Sequence, residues 1–86
     1  MQHHSHPGIV KRLKRAQGHL ATVISMMEAE RPCLDLAQQL AAVESAITNA
    51  KRELIHDHME HCLSADPATG DATAALAEFK LIAKYL

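Results

Sequence analysis

Apolar residues recur along this chain in alternating steps of four and three. From Ile9 they fall at Leu13, Ala16, Leu20, Val23 and Met27, the spacing of a helix face that packs against another in coiled-coil fashion. Pro7 suits the first turn of such a helix, where a missing N–H costs nothing. Pro32 disfavours the α conformation at Arg31, so a first helix is predicted over about residues 7 to 30. A second row, Leu36, Leu40, Val43, Ile47, Ala50 and Leu54, keeps the same rhythm, and neither Gly nor Pro interrupts the chain from Cys33 to Asp66. The second helix is therefore long, about 30 residues. Arg31 is a poor cap, so packing rather than capping is expected to set the junction. Asp66-Pro67-Ala68-Thr69-Gly70-Asp71 reads as a turn. Beyond it Ala72, Leu76, Phe79, Ala83 and Leu86 resume the pattern as a short third helix, whose dipole Lys80 and Lys84 complement.

Helices of this length would extend roughly 36 and 45 Å, too long for one small globule. Apolar flanks such as Val10, Ile24, Met26, Ile55 and Met59 are left without partners inside one chain, and their burial favours association. The expected architecture is an all-α, three-helix protomer. Two long antiparallel helices and a short C-terminal helix would dimerise into a four-helix bundle core. The 86 residues make a single domain, with residues 1–6 as a flexible His-rich arm.

Composition agrees and then adds an anomaly. One Tyr, one Phe, no Trp and 48% apolar content fit packed helices rather than a β-sandwich or a disordered chain. No apolar run spans a membrane and the polar start is no signal peptide, so a cytoplasmic protein is expected. There its two cysteines point to thiolate chemistry rather than a structural disulfide. Seven histidines are the unusual number.

His58 and Cys62 are four residues apart on the second helix, so they share a face and prolong the row that ends at Leu54. An imidazole and a thiolate so spaced can clamp a borderline or soft transition metal. Cys33 lies in the first turn of the same helix, where unpaired amides and the dipole favour a thiolate. The two cysteines are 29 positions apart, about 43 Å along a helix, and cannot meet in one chain. In an antiparallel pair of second helices, however, Cys33 comes opposite His58 and Cys62 of the other copy when the two-fold axis passes by Ala46 and Ile47. Spacing thus predicts two equivalent sites per dimer. The N-terminal histidines supply candidates for a fourth ligand, His3 or His4 ahead of His6. His56 and His61 are read as solvated, and His19 as polar packing beside the row.

Lys11-Arg12-Leu13-Lys14-Arg15 places four positive charges in five residues, although 9 Lys+Arg and 10 Asp+Glu give a formal net charge of -1. Repeated by symmetry, such a run forms a phosphate-contacting surface, which Lys51 and Arg52 extend. No helix-turn-helix or aromatic stacking set is visible, so recognition would rely on backbone and shape. A Ser/His/Asp arrangement, a Gly-rich phosphate loop and paired carboxylates are absent, so neither an enzyme nor a small-molecule substrate is expected.

The basic helix, Gln17-Gly18-His19, Pro32-Cys33, the Gln38-Gln39-Leu40-Ala41-Ala42-Val43 run, and His58 with Cys62 together resemble the CsoR/RcnR family of metal-sensing repressors, over nearly the whole chain. The resemblance implies an all-α homodimer that assembles into a homotetramer and binds operator DNA without a helix-turn-helix. Metal binding would release the DNA and derepress efflux genes. By position it carries metal ligation to Cys33, His58 and Cys62, with an N-terminal His such as His3. DNA contact falls on Arg12 and Arg15, and support of the ligand His on Glu78. Pro32 stands where copper sensors often have Tyr, and Glu44 where many members have Arg. The extra histidines favour Ni(II) or Co(II) as effector, with Cu(I) in a two-sulfur, one-nitrogen site as the alternative. A cysteine-based redox or aldehyde sensor using Cys33 and Cys62 is the reading from another class.

Overall fold

In the computed structural model, which describes residues 6–63 and 72–86, three helices follow one another: α1 (His6–Glu28), α2 (Cys33–Leu63) and α3 (Ala72–Ile82). A single 3-10 turn, Ala83–Tyr85, continues α3. α1 and α2 form an antiparallel hairpin, and α3 meets the far end of α2. The molecule measures 59 × 23 × 13 Å with a radius of gyration of 17.7 Å. A compact chain of this length has about 12 Å. The shape is a rod, as the helix lengths require.

The four-three rows divide into two heptad series. Ile9, Ala16 and Val23 of α1 are buried, as are Val43 and Ala50 of α2. The alternate positions are not: Leu13, Leu20 and Met27 on α1 and Leu40, Ile47 and Leu54 on α2 all remain at least 40% exposed. Ala16 and Ala50 are the small residues of the buried series and favour close approach of the two backbones. Val10 and Ile24 are exposed flanks, as expected, whereas Ile55 is only 4% exposed. Ile55 is therefore core rather than flank, because it lies under the end of α3 beside Ile82 and Tyr85.

The first helix stops earlier than Pro32 alone predicts. Glu30 adopts the left-handed conformation (φ 58), its N–H donates to the Met27 carbonyl and the Arg31 N–H donates to Met26. These two bonds are a Schellman closure, and they end α1 at Glu28. Pro32 then offers its carbonyl to the Leu36 N–H at 3.1 Å and becomes the N-cap of α2. Arg31 pairs with Asp35 one turn on, 3.5 Å away, worth a few tenths of a kcal/mol at such exposure.

Among the described residues, polar contacts tie the hairpin at His19 and at Arg12. His19 Nε2 lies 2.6 Å from Gln39 Oε1, so His19 serves packing, as its position beside the row suggests. Arg12 reaches Glu53 at 2.9 Å.

Candidate metal centre

The hairpin brings the start of α1 to the end of α2. His6 and His58 both line a shallow cleft of about 380 Å³ with Leu54, Ile55, Glu78, Ile82 and Tyr85. His58 is mostly buried there, its side chain 21% exposed, and its Nε2 lies 3.5 Å from Glu78 Oε1. α3 thus supplies the carboxylate that the resemblance assigns to it, and a carboxylate on one ring nitrogen directs the other toward ligation. Of the three N-terminal histidines His6 is the one the sequence ranks last, yet it shares this cleft with His58. Counting outward from the turn at residues 29–32 would have found it, since the hairpin sets the first residues of α1 near those some 25 positions into α2. Tyr85 lies off the apolar row of the third helix and carries no signal in the sequence. His3 and His4 lie outside the described residues.

Cys33 is the first residue of α2 and its thiol is exposed. Cys62 lies in the last turn of the same helix. With 31 residues at about 1.5 Å each, α2 holds the two cysteines at opposite ends, over 40 Å apart. Among the described residues no three His, Cys, Asp or Glu side chains cluster within one protomer in a way that could hold a metal ion. As a donor set, one half-buried imidazole with its Nε2 engaged and two cysteines fit a soft or borderline transition metal, provided that two chains contribute.

The basic residues Lys11, Arg12, Lys14 and Arg15 are all exposed on α1, and Lys51 and Arg52 on α2. Arg12 is held by Glu53, a partner that the sequence reading did not include. Glu44 lies with Ser45, Thr48, Asn49 and Arg52 along a polar groove of α2, so an acid interrupts this part of the basic surface. Among the described residues no helix is long and apolar enough to cross a membrane.

Residues 5–84 match the family model described as a metal-sensitive transcriptional repressor. The chain is 42% identical over 69 residues to the copper-sensing transcriptional repressor CsoR of Mycobacterium ulcerans (strain Agy99), covering 80% of this chain and 59% of that one. It is 36% identical over 70 residues to the CsoR of Bacillus subtilis (strain 168), covering 81% and 69%. Among solved structures, the nickel-responsive transcriptional regulator InrS superposes with a TM-score of 0.85 at 33% identity, covering 100% of this chain and 98% of that chain. The all-α three-helix protomer is the fold the two share. The chain spans about three fifths of the length of the first curated relatives it matches.

Proposed function

This chain belongs to the CsoR/RcnR family of metal-sensing, non-catalytic transcriptional repressors, and on that premise we propose that it binds operator DNA when metal-free and releases it when Cys33, His58 and Cys62 take a transition-metal ion. The observation that carries this reading is the exposed row Leu40, Ile47, Leu54. Its members are evenly spaced about Ile47, so an antiparallel second copy of α2 would set Leu40 against Leu54 and Ile47 against itself. That pairing brings Cys33 level with residue 61, between His58 and Cys62 of the other chain. Apolar burial and ligand spacing, two unrelated constraints, thus support nearly the same two-fold axis. Leu76, Leu81, Tyr85 and Leu86 on and after α3 are also exposed, which supports further assembly of dimers into a tetramer.

Between effectors, copper(I) has better support than the Ni(II) or Co(II) that the histidine count favours. The curated relatives named above are copper-sensing, and two thiolates with one imidazole suit a soft ion. Nickel or cobalt stays as a second reading on two observations: His6 beside His58 and the match to a nickel-responsive regulator. In either case His58 would bind through Nδ1 while Glu78 holds Nε2. Operator and metal would favour different arrangements of the protomers, so each weakens the other by the same coupling free energy.

The test is release of a labelled promoter duplex titrated with Cu(I), Ni(II), Co(II) and Zn(II) in competition, for the chain and for His6→Ala. Copper(I) acting first, without d–d absorption and regardless of His6, is the expected result. Release by Ni(II) that is lost in His6→Ala would select the second reading. No release by any of the four would end the metal-sensing proposal.

A further inference from the structure

Among the described residues, the ion pair that joins the basic run of α1 to α2 is Arg12–Glu53, 2.9 Å between guanidinium and carboxylate. Glu53 is not simply a solvated counter-charge. Its Oε2 is shielded from water and makes no well-directed hydrogen bond, although the side chain as a whole is 37% exposed, so its attraction to Arg12 is mainly Coulombic and only partly screened by solvent. The Arg12 side chain is 59% exposed, so one side of its guanidinium stays open to solvent. A guanidinium recognises carboxylate and phosphate through the same planar donor fork.

We propose that Glu53 is an internal competitor for DNA phosphates, occupying Arg12 in the free protein and thereby setting how tightly the basic surface of α1 holds a duplex. The inference rests on the DNA-binding reading above. To engage a phosphate fully, Arg12 must loosen its hold on Glu53, and the carboxylate so uncovered takes up a solution cation. That uptake partly offsets the counterions which Arg12 displaces from the DNA. Removing the carboxylate leaves the release uncompensated. Affinity should rise, and so should its dependence on salt.

Phosphate contacts are largely independent of sequence, so a fluorescein-labelled, mixed-sequence duplex of about 40 base pairs serves as probe. Its anisotropy is read against protein concentration at several salt concentrations. Glu53→Gln keeps shape and removes one charge; Glu28→Gln, an exposed carboxylate at the far end of α1, removes the same charge elsewhere and controls for net charge. The expected result is duplex binding about threefold or more tighter in Glu53→Gln than in Glu28→Gln, since more than one protomer contributes a pair. Its plot of log affinity against log salt should be steeper. Arg12→Ala should weaken binding, and Glu53→Gln added to it should do no more than Glu28→Gln does. An equal effect of the two Gln variants, or a Glu53→Gln gain that survives Arg12→Ala, would overturn the proposal while leaving DNA binding intact. A wild-type chain that ignores the duplex even at low salt would instead remove the DNA-binding reading and this inference with it.

Discussion

Glu78 Oε1 stands 3.5 Å from His58 Nε2, joining the short third helix to the α2 imidazole that the sequence marks as a candidate ligand. The pair is half open to solvent, so its contribution to folding is small. In the proposed metal site its value would lie in fixing the ring's orientation and tautomer. Glu78→Ala is expected to lower metal affinity by about 10- to 100-fold and to leave the metal-free melting temperature nearly unchanged. Chelator competition and thermal denaturation check the two halves.

Cys33 heads α2 with its thiol exposed, away from the core of its own protomer. Cys33→Ala should therefore keep fold and duplex affinity while abolishing release by metal. Anisotropy titrations with and without metal read this directly. A mutant that still releases the duplex would show that Cys33 is not a ligand.

Ile47 lies at the centre of the exposed α2 row and is 47% exposed. Ile47→Glu puts two carboxylates against each other across the proposed two-fold axis without touching the hairpin core. Sedimentation should show monomers or weakened dimers with helical circular dichroism retained, and metal affinity should fall with the dimer.

Glu30 occupies a left-handed position where a side chain costs roughly 1–2 kcal/mol relative to glycine. Part of any gain is lost to the greater freedom of glycine in the unfolded chain. Glu30→Gly is expected to stabilise the protein by about 0.5–1 kcal/mol, measured as a shift in denaturation midpoint at constant m-value.

His19 and Gln39 are 2.6 Å apart across the hairpin and part-buried. His19→Ala removes one partner and should cost about 1 kcal/mol with unchanged stoichiometry of metal bound. A loss of bound metal would contradict the packing role.

The turn at the end of α1 shows where sequence reasoning stopped short. Pro32 marked the boundary to within two residues, but the closure is made by Glu30, and a non-glycine residue in the left-handed region carries no sequence signal. Ile55 was read as an unpartnered flank because helical periodicity describes one helix at a time. The cover that α3 and its 3-10 turn provide is a long-range fact. His6 ranks behind His3 and His4 in the sequence for the same reason. Its place in the cleft with His58 follows from the hairpin, so counting outward from the turn reveals it where the periodicity of a single helix does not. Glu53, likewise, has no special spacing relative to Arg12.

The four-three alternation by itself determined that the chain folds as two long helices and a short one, and that the helices pack side by side. The four-residue step from His58 to Cys62, with Cys33 a helix length away, determined that Cys33 cannot join the other two within one chain. Tertiary structure alone decided how the apolar positions divide: Ile9, Ala16, Val23, Val43 and Ala50 go inward, while Leu13, Leu20, Met27, Leu40, Ile47 and Leu54 stay outward. Both series repeat every seven residues and both are apolar, so periodicity cannot rank them. What ranks them is how the two backbones cross and how closely they approach at Ala16 and Ala50, and that is a property of the packed pair rather than of either helix.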